Sequence, residues 1–277
     1  MDIHNINLHI DNMEKSIREI RKLIQISSRN GLLDLMKSSH WPAAIDLDLL
    51  CETEEDKFER TDYIFEFLIP ESLKNKTFLD FGCGEGHCVV NSVNKKGSLK
   101  SVGFDLKKPE IKCENNAAIF TTSWEEVVEQ GPYDIILLYD VLDHVVNSDP
   151  VEVLKDIRSV LKDEGTVYIR LHPYMSRHAT HIYKKFNKAF AHLILDNDEL
   201  AQYDSLDTLK ISRPRLTYEG WIKDSGFRIR SSKDSLKPVE DFFKSPQIAD
   251  VIKVNTGHTE FPNYQMSIEY IDYILKK

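Results

Sequence analysis

The sequence predicts an α/β protein: a doubly wound, mainly parallel seven-stranded sheet with helices on both faces. Two observations carry that prediction. From residue 77 onward, short apolar runs alternate with helical stretches, as they must when parallel strands are joined by crossover helices. A glycine-rich turn, "GCGEG" (82–86), directly follows the first of these runs. Open α/β sheets bind ligands beyond the carboxyl ends of their strands, at such turns.

Each element has its own signal. Residues 10–38 read as helix, with Ile10, Met13, Ile17, Ile20, Ile24 and Ile26 near helical spacing and charged residues between them. Asn30-Gly31 is expected to break it before "LLDLMKS" resumes. Residues 61–69 read as a helix stopped by Pro70. Strands are expected at 77–82, 100–106, 117–122 and 133–140, the last apolar enough to be buried on both faces. Ser123 to Glu126 matches the Ser-x-x-Glu capping box. Asp149-Pro150 supplies an N-cap and a first-turn proline for the next helix. Its buried face is Val153, Leu154, Ile157, Val160 and Leu161. "DEG" is expected to end that helix, and "TVYIRL" (166–171) to form the fifth strand. "LTYEGWIKDSGF" (216–227) reads as a helix with Thr217 as N-cap and Gly226 as its terminal glycine. "FRIRSS" and "SIEYIDYILKK" complete the seven strands. The implied division is an N-terminal helical cap (1–59) and a sheet domain (60–277) interrupted by an insert at 172–215.

Bulk composition narrows the function. The chain of 277 residues is 41% hydrophobic and 29% charged, so a packed core is expected rather than disorder. A net charge of −9 argues against holding nucleic acid by bulk positive charge, though a local basic patch stays open. Cys51, Cys83, Cys88 and Cys113 form no C-x-x-C pair and no zinc spacing, so no metal is expected. Reduced thiols and the lack of a signal-peptide pattern suggest a cytoplasmic protein. No apolar window has the length of a membrane span.

The glycine turn points to a ligand class. The second strand ends in Asp105, where nucleotide folds place an acid on ribose hydroxyls. A dinucleotide turn reads G-x-G-x-x-G and sets a pyrophosphate on a helix N-terminus. Here the order is G-x-G-x-G, with His87 in place of the last glycine and Glu85 inside the turn. An acidic turn suits an ammonium or sulfonium better than two phosphates.

At this point the chain resembles the class I S-adenosylmethionine-dependent methyltransferases over roughly residues 60–230. The resemblance rests on "LDFGCGEGH", "VGFD", "TTSWEEV", "YDIILLYDVLDHV", "VLKDIRSVLKDEGTVYIRL" and "LTYEGWIKDSGF", in this order and spacing. It implies S-adenosyl-L-methionine as cofactor. Gly82, Cys83, Gly84 and Gly86 would form the turn against its methionine half, and Asp80 would help bind its amino group. Asp105 would take the ribose hydroxyls and Leu106 would pack on the adenine. Where many relatives place an Asp on the adenine amine, this chain offers Ser123 followed by Trp124, through the serine oxygen or the Trp124 backbone amide. Asp140 and Val141 would lie beside the methyl-bearing sulfur.

The acceptor is expected to be a small or nucleotide-like molecule, methylated at oxygen. "YDVLDH" lacks the proline-rich turn of relatives that methylate exocyclic amines, and no Cys lies where pyrimidine C5 chemistry needs one. His144 has two readings, a general base or a structural histidine. The insert "RLHPYMSRHATHIYKKFNKAFAHL" (170–193) is basic in an acidic chain. It offers Arg170, His172, Tyr174, Arg177 and His178 as an anion clamp, or else an amphipathic helix that packs inward. The alternatives are an RNA methyltransferase that uses this insert, with nucleic acid not favoured, and a non-catalytic cofactor-binding scaffold. A homodimer through the N-terminal helix stands beside a lid or simple cap.

Overall fold

The computed structural model describes residues 29–47, 53–145, 148–203 and 212–277. Seven strands form one sheet: β1 Thr77–Phe81, β2 Lys100–Phe104, β3 Ala118–Thr121, β4 Tyr133–Tyr139, β5 Leu161–Leu171, β6 Arg228–Leu236 and β7 Ile268–Lys276. Their order is β3-β2-β1-β4-β5-β7-β6. The first five are parallel, and β7 runs antiparallel between β5 and β6. The order reverses at β1, so the crevice between the ends of β1 and β4 is the switch point where ligands bind in such sheets.

Alternation along the strands sends side chains to two cores. Leu79, Ile136 and Leu138 face one side, packing with Leu154 and Ile157 of α5 (Pro150–Val160) and Tyr218 and Ile222 of α8 (Arg215–Asp224). Phe78, Ile135 and Leu137 face the other, against Ile64, Phe65, Leu68 and Ile69. The sheet is therefore covered on both faces, as its apolar strands require.

A further core lies beyond the sheet. Leu32 and Met36 of α1 (Arg29–Lys37) and Trp41 pack with Phe190, Leu193 and Ile194 of the insert and with Phe243, Ile248 and Ile252. The last two sit on α9 (Pro246–Thr256). Three distant chain segments thus build one cap, and the stretch after β6, which had no expected role, supplies a third of it.

Several expectations are met at their expected places. Asp149 accepts a hydrogen bond from the Val151 amide at 2.9 Å, and Pro150 opens α5. Ser123 caps α4 (Trp124–Gln130) by accepting from the Glu126 amide. Gly226 ends α8 with φ +86°. Others change. Asn30 and Gly31 lie inside the first turn of α1 and do not break it; residues 10–28 of the expected helix lie outside the described residues, with the dimer reading that rests on them. The expected 61–69 helix begins earlier, at Glu54, because Thr53 and Asp56 form a full capping box there; this helix, α2 (Glu54–Tyr63), then widens into a π turn at Ile64–Leu68. β5 begins at Leu161, not 166: Leu161 pairs with Tyr133, and "DEG" falls in an irregular stretch inside the strand. α8 starts at Arg215, so Thr217 is not its N-cap; the Pro214 carbonyl already accepts from the Thr217 and Tyr218 amides.

Trp41 tests the cap. It is 2% exposed, donates from Nε1 to the Ala189 carbonyl at 2.9 Å and meets Phe242 and Phe243 edge-on. Trp41→Ala should destabilise the protein by about 3–5 kcal/mol, read as a lower urea midpoint.

Candidate active site

The rim at the carboxyl ends of β1, β2 and β4 is held by the glycine turn. The Gly82 and Cys83 amides donate to the Phe104 carbonyl at 2.7 and 3.0 Å, tying the turn to the end of β2. Gly82 has φ +77°, and a Cβ there would sit 2.4 Å from Cγ2 of Val141. Only glycine lets this turn pass under the loop that follows β4. The Gly84 amide donates to Oδ2 of Asp105 at 2.8 Å. Gly86, φ +87°, opens α3 (His87–Asn94).

These turns enclose a cavity of about 680 Å³. One wall is aromatic: Phe81 and Phe104 stack at 5.1 Å and 28°, and Trp124 meets both edge-on at 6.0 and 5.8 Å. Leu106 stands over it, 92% exposed. Asp105 and Asp140 supply its acidic edge, and Val141 and His144 its floor toward β4. Asp140 adopts φ +53°, a left-handed conformation uncommon for a residue other than glycine and often stored at functional sites.

A smaller cavity of about 330 Å³ adjoins the first and shares Asp140 and His144 with it. His172, His178, Thr180 and Tyr183 line it from the insert side, Lys237 and Glu269 from the β6–β7 side, and Asp46 and Asp143 complete it. A third, of about 590 Å³, lies on the outer side of the glycine turn. There Lys57 pairs with Glu85 at 2.5 Å and with Glu54 at 3.0 Å, while His87 is buried with Nε2 2.8 Å from Oε2 of Glu54. The Glu85 carboxylate is thus matched by Lys57, and Asp105 and Asp140 supply acidity to the large cavity instead. Glu54, Glu85 and His87 bring ligand atoms within 4.8 Å of one another, and Lys57 pairs with both carboxylates.

Electrostatics mark the rim. Burial, then the Asp105 charge, raises Asp80 to about 7. Burial, then the Asp140 charge, raises Asp143. Burial lowers His178 to about 3 and His192 to about 4, so both are neutral at physiological pH. Burial also pushes the Cys83 thiol up.

Of the expected cofactor residues, Gly82, Asp105, Leu106, Trp124, Asp140 and Val141 line the large cavity. Asp80, Cys83 and Gly86 lie behind the turn, and Gly84 faces the third cavity. Ser123 turns away: its hydroxyl donates to Glu125 while it caps α4. Of the expected acceptor residues, His172 and His178 line the small cavity. Arg170, Tyr174 and Arg177 line neither, which corrects the anion clamp. Arg170 is 4% exposed, forms two 2.7 Å bonds with Asp272 and stacks 3.8 Å from the Tyr270 ring. Arg177 binds Glu240 and the Ala43 and Ala44 carbonyls. Tyr174 packs edge-on to His192 in the cap. Phe81, Asp143, Thr180, Lys237 and Glu269 were missed. Phe81 had a signal, since it pairs with Phe104 at the end of the neighbouring strand; the others come from separate segments with no shared spacing.

This sheet order, with a glycine turn and acids on its switch-point rim, defines a class I methyltransferase architecture. A methyltransferase-domain family profile matches residues 54–232, more than half of the chain, and the chain belongs to that family. Two tRNA U34 carboxymethyltransferases from Campylobacter jejuni strains are 29% and 28% identical over 140 and 137 residues, 46% of this chain. The match spans 45% of those relatives, less than half their length. Among solved structures, a SAM-dependent methyltransferase from Archaeoglobus fulgidus shares 18% identity at TM-score 0.49, covering 84% of this chain and all of that one. A putative methyltransferase from Listeria monocytogenes shares 17% at TM-score 0.49, covering 77% and 97%. S-adenosylmethionine is the cofactor. The cavity residues fit it: a cradle at Gly82 that a Cβ would fill and an aromatic wall, with the buried acid Asp80 behind the turn.

Asp80 yields a pH test. The folded chain keeps its proton up to about 7, whereas the unfolded chain releases it in the ordinary carboxylate range. The folded state therefore binds more protons between pH 4 and 7, and stability falls as pH rises through that window. Asp80→Asn should remove this component. Urea midpoints at pH 4.5 and 7.5 should show wild type losing ground to the variant at the higher pH.

Proposed function

We propose that the chain transfers a methyl group from S-adenosylmethionine in the larger cavity to an oxygen of a compact acceptor in the smaller one. The observation that carries this reading is the junction of the two cavities at Asp140 and His144. A cavity of 330 Å³ suits one ring-sized group. The acceptor is uncharged or cationic there, because Arg170 pairs with Asp272, Arg177 pairs with Glu240, and Lys237 lies 3.6 Å from Glu269.

In this reading Asp105 takes the ribose hydroxyls, and Leu106 with the Phe81, Phe104 and Trp124 wall holds the adenine. Asp80 balances the ammonium, and its carboxylate is stabilised when that charge arrives. Asp140 and Val141 lie beside the methyl group, and His144 borders the passage between the cavities. When bound, the cofactor supplies an electrophilic methyl on a sulfonium; the protein supplies alignment and a place for the proton.

A second reading is an RNA acceptor, favoured by the local likeness to the tRNA-modifying relatives. The net charge of −9 stands against it.

Calorimetry with S-adenosylmethionine is the deciding experiment for the first reading. Wild type should bind, and Asp105→Ala should weaken binding by about 1–3 kcal/mol. No binding by wild type would sink the proposal, and unchanged affinity in the variant would remove the ribose role. For the second reading, tRNA affinity should fall steeply as salt rises; a flat titration ends it.

A further inference from the structure

The smaller cavity gathers polar atoms without hydrogen-bond partners. Oδ1 of Asp140, Oδ1 of Asp143, Nδ1 of His178 and Oγ1 of Thr180 are all buried and make no hydrogen bond. All four residues line this cavity. Buried polar atoms in native proteins are nearly always paired, so a cluster of this kind is built for a polar ligand.

One ring among them has its tautomer set. Nδ1 of His172 lies 2.6 Å from the Glu269 carbonyl oxygen on β7. A carbonyl oxygen only accepts, so Nδ1 carries the hydrogen and Nε2 of the neutral ring keeps its lone pair. Nε2 lies 3.6 Å from Oδ1 of Asp140, at the seam between the two cavities. That is too long for a hydrogen bond, but it places a carboxylate beside any proton the ring accepts.

Titratable and charged groups face the ring from several elements. Asp140, Asp143 and His144 face the ring from the loop after β4. His178 and Tyr183 face it from the insert, and Asp46 from the segment after α1. Lys237 and Glu269 face it from the β6–β7 side as a 3.6 Å pair, and Tyr270 lies edge-on at 6.2 Å. Arg170, two residues earlier on β5, is held by Asp272. The His178 ring is only 4.6 Å away but stays neutral, so no fixed imidazolium opposes a charge on His172.

We infer that His172 is the general base of the transfer and that its substrate is a hydroxyl. The inference rests on the proposed methyl transfer between the two cavities. A neutral amine attacks with a free lone pair, whereas a hydroxyl is a weak nucleophile until its proton leaves. In the step, the acceptor oxygen bonds to the methyl carbon as the carbon–sulfur bond breaks. Sulfur keeps that electron pair as a thioether, and the hydroxyl proton passes to Nε2 of His172. The imidazolium so formed faces the Asp140 carboxylate, while Glu269 holds the ring by its other nitrogen. His178 and Thr180 orient the acceptor by hydrogen bonds.

The test uses the full chain, methyl-tritiated S-adenosylmethionine and a small-molecule cell extract as acceptor source. Labelled product heated in hydriodic acid should release its label as volatile methyl iodide, the behaviour of a methyl on oxygen; retained label overturns the hydroxyl. His172→Asn keeps an N–H for the Glu269 carbonyl and removes the base. Transfer at pH 7 should fall by about 100-fold or more and recover as pH rises and solvent takes the proton. Calorimetric cofactor affinity should stay within about twofold of wild type, as expected for a residue outside the cofactor cavity. The imidazole nitrogen-15 spectrum of wild type should show Nε2 of neutral His172 unprotonated. Transfer by the variant close to the wild-type rate, or a proton on Nε2, overturns the inference. Absent cofactor binding by wild type would instead remove the underlying function.

Discussion

Parallel pairing of β1 with both β2 and β4 is the constraint on which the site depends. Phe81 pairs with Phe104, and Asp80 stands opposite Gly103 on one side and Leu137 on the other. Backbone hydrogen bonding in this register brings three strand ends to one rim. The apolar strand bodies need burial on both faces, and the polar residues that follow them are left at the crevice. Asp105 and Asp140 therefore meet around one cavity although they are far apart in the chain. Asp80 pays for its interior place with a raised proton affinity, which a cationic ligand relieves.

The smaller cavity depends on the antiparallel β7. The buried Arg170 on β5 and the half-buried Asp272 on β7 form a bidentate pair, which fixes orientation as well as charge. Two residues on, just past the end of β5, stands His172, and three back along β7 stands the Glu269 carbonyl that orients its ring. A residue first read as an anion clamp is thus a strut for the neighbouring histidine. The cap then closes over it. Helix α1, the insert and α9 share one apolar core, which carries His178 and Thr180 to the cavity wall.

Much of the sheet was legible because its signals are local. Asp149-Pro150 caps its helix in any context that allows a helix, and the glycine turn needs left-handed backbone wherever it sits. Asp105 and Asp140 could be placed on the rim because a strand's end is visible in its own apolar run. The misreadings share a cause as well. Thr217 has the chemistry of a cap, but Pro214 starts the helix first. Ser123 has the chemistry of an acceptor, but its own helix uses it. The basic insert has the composition of an anion site, yet its arginines meet Asp272 and Glu240, residues 102 and 63 positions away.

The sequence by itself determined the strand–helix rhythm, the glycine turn and the acids that end the strands, since periodicity and turn stereochemistry act within a few residues. Tertiary structure alone decided which charges remain for a ligand and which are answered within the protein. It also decided that Asp46, Asp143, His172, His178, Lys237 and Glu269 share one cavity. Partner choice is a matter of distance in space, and nothing in the spacing along the chain records it.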